Sequence, residues 1–330
     1  MPTLSPKENY LRALRHEDVE YVPMAFGGPD TASAGLFCPT DRANHGELDA
    51  WGVRWVGADD SALNATMPEP GNFILKDVTR WKMDVTIPDL SKYPWEKFVA
   101  DEQALFPADK EKQCINFPAT CGPWERLAAL MGFEEAMISM IEEPEATYEL
   151  LGAITDHKIR LAELAKKYYH ADVFINFDDI ATERELFMSP ETYRALIKPH
   201  HKRLNDAVRN LGMIPVQHTC GHAELCVEDY IETGAVGWNA VQPTNDIASL
   251  LDKYGSKFVF EGGYDTTGKP GRPMATIDEI VAEVERCFRD YGKKKGYIFS
   301  GLVVCSTANA EINAAQTQAI IDTANRLRFA

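Results

Sequence analysis

From residue 114 onward the chain alternates short apolar runs with longer amphipathic ones, and this alternation restricts the fold more than any other feature. It is the pattern of parallel strands joined by helices. The runs expected as strands are Cys114–Ala119, Asp172–Phe177, Met213–His218, Val236–Val241, Lys257–Glu261 and Tyr297–Gly301. An earlier one is expected at Val22–Phe26, after an opening helix that starts at Ser5-Pro6-Lys7-Glu8. The segments between carry helix punctuation. Thr276 and Glu279 form a capping box ahead of an i, i+3, i+4, i+7 apolar stripe. Ser189-Pro190 supplies an N-cap followed by proline at the first helical position, where its missing N–H is not needed. Pro199, inside the same pattern, should kink or split that helix. Gly212 and Gly234 stand between a helix and the next strand, as C-terminal caps do. Seven strands are legible in this way. An eighth must come from the irregular stretch 27–112, rich in Gly, Pro, Asp and Trp, with hairpin-like pieces near Trp51–Val56 and Asn72–Val78. The expected fold is therefore α/β, a (β/α)8 TIM barrel forming one domain over residues 1–330. An N-terminal helical and loop/hairpin excursion, 27–112, would lie over its mouth. Polar residues at the strand ends suit this closed barrel better than an open sheet without a nucleotide fingerprint.

Composition narrows the class of function. Hydrophobic residues make up 45% of the chain, enough to fill a core, and no apolar run approaches the ~18 residues of a membrane span. Met1 to Glu20 is too charged for a secretory leader, and seven cysteines, an odd number, point to reduced thiols rather than a disulfide framework. A cytoplasmic protein is expected. The formal net charge of −16 would repel nucleic-acid phosphates. Lys293-Lys294-Lys295 follows a helix, where cations complement the negative end of its dipole. Neither nucleic acid nor membrane is an expected partner.

Chemistry concentrates at His218-Thr219-Cys220-Gly221-His222, one residue after the strand-like Met213-Ile214-Pro215-Val216. A His-x-Cys pair on extended backbone points both side chains to one face, where imidazole and thiolate can share a zinc ion. Cys305, beyond the last strand-like run, is the expected third ligand. Three protein ligands with an open fourth position describe catalytic zinc. Glu261 is the alternative oxygen ligand, or a group that orients His218 from behind. The strand Val173–Phe177 ends in Asp178-Asp179, a pair from which one carboxylate can face the axis while the other binds a loop or helix N-terminus. Either could give a proton, hold metal or anchor substrate. Asn239 and Gln242 are candidate hydrogen-bonding groups, Asn239 toward substrate, and Trp124, with Trp51 and Trp55, is a candidate aromatic wall. His222 is expected to cap the next helix, Cys226 and Cys287 to be core, and Cys121 to line a pocket.

Several stretches together resemble the uroporphyrinogen decarboxylase superfamily. They are Pro6-Lys7-Glu8-Asn9-Tyr10-Leu11-Arg12-Ala13-Leu14-Arg15 before Val22-Pro23; Gly122-Pro123-Trp124; Ile175-Asn176-Phe177-Asp178-Asp179 leading to Ser189-Pro190-Glu191; His218-Thr219-Cys220-Gly221; and Glu261-Gly262-Gly263-Tyr264-Asp265. The resemblance covers nearly the whole chain and is weakest between about residues 28 and 112. The decarboxylases proper carry an arginine-containing motif soon after the first strand, whereas Phe26 to Leu36 holds no arginine here. The His-x-Cys and later Cys instead resemble the zinc ligands of the corrinoid-dependent methyltransferase branch, which places them on His218, Cys220 and Cys305. Cys305 departs from that pattern by lying several residues beyond Gly301.

The branch implies zinc, a cobalamin carried by a separate corrinoid protein, and a small-molecule methyl donor; a homodimer is compatible with it. Gly27-Gly28-Pro29-Asp30, the segment Trp51 to Trp55 and the supply of aromatics resemble the O-demethylase components. These move methyl from a methoxylated aromatic to a Co(I) corrinoid. Methylcorrinoid:thiol methyl transfer is the alternative within the branch. A noncatalytic tetrapyrrole- or corrinoid-binding barrel is the alternative outside it.

Overall fold

The computed structural model describes residues 2–26, 28–38, 42–57, 66–303 and 309–329. Its strands are β1 (Thr31–Ser33), β2 (Trp55–Gly57), β3 (Thr66–Pro68), β4 (Cys114–Ala119), β5 (Val173–Phe177), β6 (Ile214–His218), β7 (Gly237–Val241), β8 (Val259–Gly263) and β9 (Tyr297–Ser300). Seven of them form one sheet in the order β1-β4-β5-β6-β7-β8-β9, every pair parallel. The expected strand at Val22–Phe26 is reduced to one parallel bridge between Met24 and Phe299, with Ala25 N donating to Phe299 O and Phe299 N to Pro23 O, both at 2.9 Å. The eighth strand sought in the excursion is β1.

Closure follows from chain length. Ala25 is bonded to β9 at one edge of the sheet, and the Asp30 carbonyl accepts from Cys114 N of β4 at the other, 2.8 Å. A connection of five residues spans at most about 18 Å, so the two edges must come together and the sheet curls into a barrel. Arg328, near the end of the chain, pairs with the buried Asp30 carboxylate, which also accepts from Met24 N at 2.9 Å, and this clamps the seam.

Inside the barrel, alternate residues of successive strands meet. Cys114, Val173, Ile175, Val216, Val259 and Ile298 form one buried cluster with Tyr10, Ala13 and Leu14 of the helix Pro6–Leu14. That helix, capped by Ser5 Oγ, closes the barrel at the N-terminal ends of the strands. Outside, the capping box at Thr276 forms as expected ahead of Ile277–Tyr291, and Cys287 and Cys226 are buried. The Ser189-capped helix is split ahead of Pro199: a π-helical turn, Tyr193–Ile197, separates Pro190–Thr192 from Lys198–Asn210. The proline cannot donate to the carbonyl one turn back, so the ladder is interrupted there.

The excursion departs from expectation in detail. Its hairpin pairs β2 with β3, and Asn72–Val78 forms no strand. It is anchored by Asp49. One carboxylate oxygen accepts from Trp51 N and Val53 N at 2.9 Å; the other accepts from Trp55 Nε1 at 2.9 Å and from Arg126 Nη1 at 2.5 Å. Arg126 lies on the helix Pro123–Met131 beneath, with its guanidinium over Trp51. No helix among the described residues is long and apolar enough to cross a membrane.

Asp49→Ala should destabilise the protein by about 3–5 kcal/mol, because it removes the acid of a buried ion pair together with the acceptor for Trp51 N, Val53 N and Trp55 Nε1; chemical denaturation measures this. His157, packed edge-on to Trp51, is pushed down to about 3 by burial, then by Lys158 and Arg126, and burial pushes His200 down to about 4. Both rings stay neutral in the folded protein while the unfolded chain takes up protons below about pH 6.5. Stability should thus fall between pH 6.5 and 5, each ring contributing up to about 1.4 kcal/mol per pH unit. His157→Gln should flatten the slope of melting temperature against pH.

Candidate active site

Parallel register lines up the site. Phe177 of β5 pairs with His218 of β6, His218 with Asn239 of β7, and Asn239 with Glu261 of β8. Because side chains alternate along a strand, residues in one register row share one face. The row forms a continuous polar chain inside the barrel. Tyr10 OH donates to Glu261 Oε2 at 2.8 Å, Asn239 Nδ2 donates to Glu261 Oε1, and Asn239 Oδ1 lies 2.5 Å from His218 Nδ1.

This chain fixes the imidazole. When ionised, Glu261 can only accept, so it then takes the amino end of Asn239 and turns the amide oxygen toward His218. Nδ1 therefore carries the proton, and the Nε2 lone pair is left for a metal. Phe177 stacks on the ring at 3.8 Å and holds its plane. Burial lowers the basicity of His218, partly offset by Asp179 and Asn239, so the ring is held as the neutral ligand form. Burial pushes Glu261 up to about 7, against the opposing hydrogen bonds from Tyr10 and Asn239.

Around Nε2 three ligand types converge. Cys220 Sγ lies 3.5 Å away and Asp179 Oδ1 3.8 Å away, and ligand atoms of all three residues lie within 4.8 Å of one another. Tetrahedral zinc, with bonds of about 2.0–2.3 Å, separates neighbouring ligand atoms by about 3.3–3.6 Å. The nitrogen–sulfur spacing falls in that range and the nitrogen–oxygen spacing lies just above it, a donor set of one nitrogen, one sulfur and one oxygen that suits that ion. The Cys220 thiol is raised well above its ordinary value by burial and then by Asp179 and Glu125, so a cation is what would favour its thiolate. The turn that presents Cys220 requires glycine at 221: φ is +86°, and a Cβ there would meet Thr182 O at 2.3 Å. Gln242 and Asn245 buttress it by hydrogen bonds to Gly221 N (2.6 Å) and O (2.9 Å).

The two aspartates divide the work. Asp178 is fully buried and caps the helix Pro123–Met131, accepting from Trp124 N (3.2 Å) and Glu125 N (2.9 Å) and pairing with His201 Nε2 at 2.7 Å. Its carboxylate is taken up in anchoring that helix and His201. Gly122 permits this approach, since a Cβ there would lie 2.5 Å from the Asp178 side chain. Asp179 faces the site and accepts from Cys220 N at 2.7 Å. Asn239, expected to touch substrate, is instead fully buried with both ends of its amide engaged by His218 and Glu261. Glu261 reaches His218 only through Asn239. His222 turns away, with Nδ1 2.8 Å from Thr244 O. Cys305 lies outside the described residues.

Beside the cluster opens a cavity of about 450 Å³, lined by Trp55, Phe73, Trp124, Phe133 and Phe187, with Cys121, Arg42, Glu125 and Asp179 among its other walls. Trp124 lines it as expected, and Trp55 joins it while Trp51 packs into the core. Arg42, Glu125, Tyr10 and three phenylalanines escaped sequence reasoning. Only the position of Glu125, two residues after Gly122-Pro123, hinted at a barrel-mouth location.

Replacing Asn239 by Ala should weaken zinc binding about 10–100-fold, the range for losing a group that orients a histidine ligand. Competition against a chromophoric chelator measures it. Unchanged affinity would show that the row does not orient the ligand.

Three comparisons bear on kinship. The family model for uroporphyrinogen decarboxylase (URO-D) matches residues 86–308. A uroporphyrinogen decarboxylase of Carboxydothermus hydrogenoformans is 28% identical over 163 residues, 49% of this chain and 43% of that protein, so the matched stretch spans less than half of the relative. A methyltransferase from Methanosarcina mazei superposes with a TM-score of 0.71 over 98% of this chain and 99% of that one, at 15% identity, a likeness of fold.

Proposed function

We propose, from the premise that the chain belongs to the uroporphyrinogen decarboxylase family, that it is a zinc-dependent methyltransferase. Its reaction would move methyl from a methoxylated aromatic to the Co(I) corrinoid of a separate protein. The observation that carries this reading is that Asp179 belongs both to the cluster with His218 and Cys220 and to the wall of the aromatic cavity. A ring in that cavity would present its substituents to the cluster.

Decarboxylation of a porphyrinogen suits the cavity poorly. Its substrate carries several carboxylates, whereas the cationic group here, Arg42, is already paired with Glu125 at 2.5 Å. Five aromatic side chains offer stacking surface instead. In net terms, methyl leaves the ether oxygen for Co(I), cobalt supplies both electrons of the new bond, and the oxygen departs with a proton as a phenol. His218, Cys220 and Asp179 would hold zinc, with Cys305 a further ligand in this reading. Zinc, when bound, supplies Lewis acidity beside the cavity. The chain's own part is to stack the ring on Trp55 and Trp124, to hold His218 neutral and oriented, and to exclude water by burial.

The zinc-loaded protein, mixed with reduced corrinoid partner and a panel of methoxy-aromatics, should convert the Co(I) spectrum to that of the methylated corrinoid. Cys220→Ser should slow this on the order of 10³-fold, the loss of a term worth several kcal/mol. No demethylation across the panel sinks the reading. Thiol-dependent demethylation of methylcobalamin would move the chain to the thiol side of the branch.

A further inference from the structure

Two runs of hydrogen bonds inside the barrel converge on one buried carboxylate. From the closed end, Cys114 Sγ donates to Asn116 Oδ1 at 3.5 Å and Asn116 Nδ2 donates to the Tyr10 oxygen at 3.4 Å. Tyr10 therefore directs its own proton to Glu261 Oε2, 2.8 Å away. From the open end, His218 Nδ1 donates to Asn239 Oδ1 and Asn239 Nδ2 to Glu261 Oε1. Only an ionised carboxylate accepts from both sides. Glu261 is 1% exposed, and its partners among the described residues are Tyr10 and Asn239, neither of them a cation. A negative charge so placed is unfavourable, and a proton relieves it.

The Tyr10 end dictates what that proton does. Because Tyr10 keeps Oε2 as an acceptor, the proton must sit on Oε1 and point at Asn239. The amide then turns its oxygen to Glu261 and its Nδ2 to His218 Nδ1, which becomes the acceptor. The ring now carries its proton on Nε2. There it faces Cys220 Sγ, 3.5 Å away, so this second arrangement also has its partners.

We propose that Glu261 is a positioning residue that decides, through Asn239, whether His218 is able to bind a metal: ionised, it leaves Nε2 bare, and protonated, it puts a proton there. This rests on the reading of His218, Cys220 and Asp179 as a zinc site. In all, one proton is taken up, by the carboxyl, since the ring exchanges one N–H for the other. A metal at Nε2 requires the first arrangement, so binding expels that proton. Burial pushes Glu261 up to about 7, which brings both arrangements within reach of neutral pH. Around it, Tyr10 and the Cys114 thiol are pushed up chiefly by burial and stay uncharged, and β9 sets the apolar Ile298 in its register.

Nitrogen-15 NMR of the full-length, metal-free protein reads the tautomer directly, the His218 signals being those lost in His218→Asn. Expected is an Nδ1–H ring above pH 7 that gives way to an Nε2–H ring below it. In Glu261→Gln, Tyr10 takes the amide oxygen and the NH2 group faces Asn239, so the Nε2–H ring should persist on both sides of pH 7. By chelator competition at about pH 8, this variant should hold zinc about 10–100-fold more weakly than wild type. Below pH 7, wild-type affinity should fall about tenfold further per pH unit than that of the variant, whose row has no proton left to expel. A wild-type tautomer that does not change across pH 7, or a Glu261→Gln protein with the wild-type tautomer and the wild-type zinc slope, would each overturn the proposal. Zinc binding without the tautomer change overturns the role of Glu261 alone. The tautomer change in a protein that takes up no zinc at any pH overturns the zinc reading alone.

Discussion

Parallel register is the constraint on which the rest of this structure depends. With a side-chain period of two, a slip of one residue in β6 would turn His218 and Cys220 out of the barrel and bring Gln217 and Thr219 in. The registers of β5 through β8 forbid this by setting Phe177, His218, Asn239 and Glu261 side by side. The row orients the imidazole, and its far end is completed from another part of the chain, by Tyr10 of the opening helix. Closure of the barrel is therefore part of the site as well as of the fold. An open sheet would leave Glu261 without Tyr10 and the row without an end.

Buried acids are the chief electrostatic burden of a protein with a net charge of −16. Asp178, Asp179, Glu125 and Glu261 gather around the mouth and interior, and each is stabilised differently. Asp178 takes two backbone N–H groups and His201; Glu261 takes Tyr10 and Asn239; Glu125 takes Arg42. Asp179 takes the backbone of Cys220 and lies beside the imidazole and thiol. The groups with complete sets of partners hold the framework. Asp179 and Glu125 both line the cavity.

The excursion matters for the same reason. It brings Arg42 and Trp55 over the mouth, and the buried pair of Asp49 with Arg126 fastens it to the helix that carries Trp124 and Glu125. One helix N-terminus thus gathers three jobs: it is capped by Asp178 from β5's end, it anchors the excursion through Arg126, and it faces the cavity through Glu125.

Strands, helix caps and the His-x-Cys pair could be read from the sequence because each is a local signal. Apolar runs of strand length, a Thr276–Glu279 box or two ligands one residue apart state their geometry within a few residues. So the parallel α/β plan, the barrel, and the position of the His-x-Cys pair at the end of one of its strands were determined by the sequence alone. Tertiary structure decided what joins distant segments. Which of Asp178 and Asp179 faces the site depends on where the helix Pro123–Met131 begins. Whether Asn239 meets substrate or imidazole depends on the register of β7. Tyr10, Arg42 and Glu125 acquire roles only when residues far apart in the chain are brought into contact, and β1 is a strand because β4 offers it a ladder, at three residues too short to show a period of its own. Such pairings rest on chain closure and register, which no short window of residues encodes.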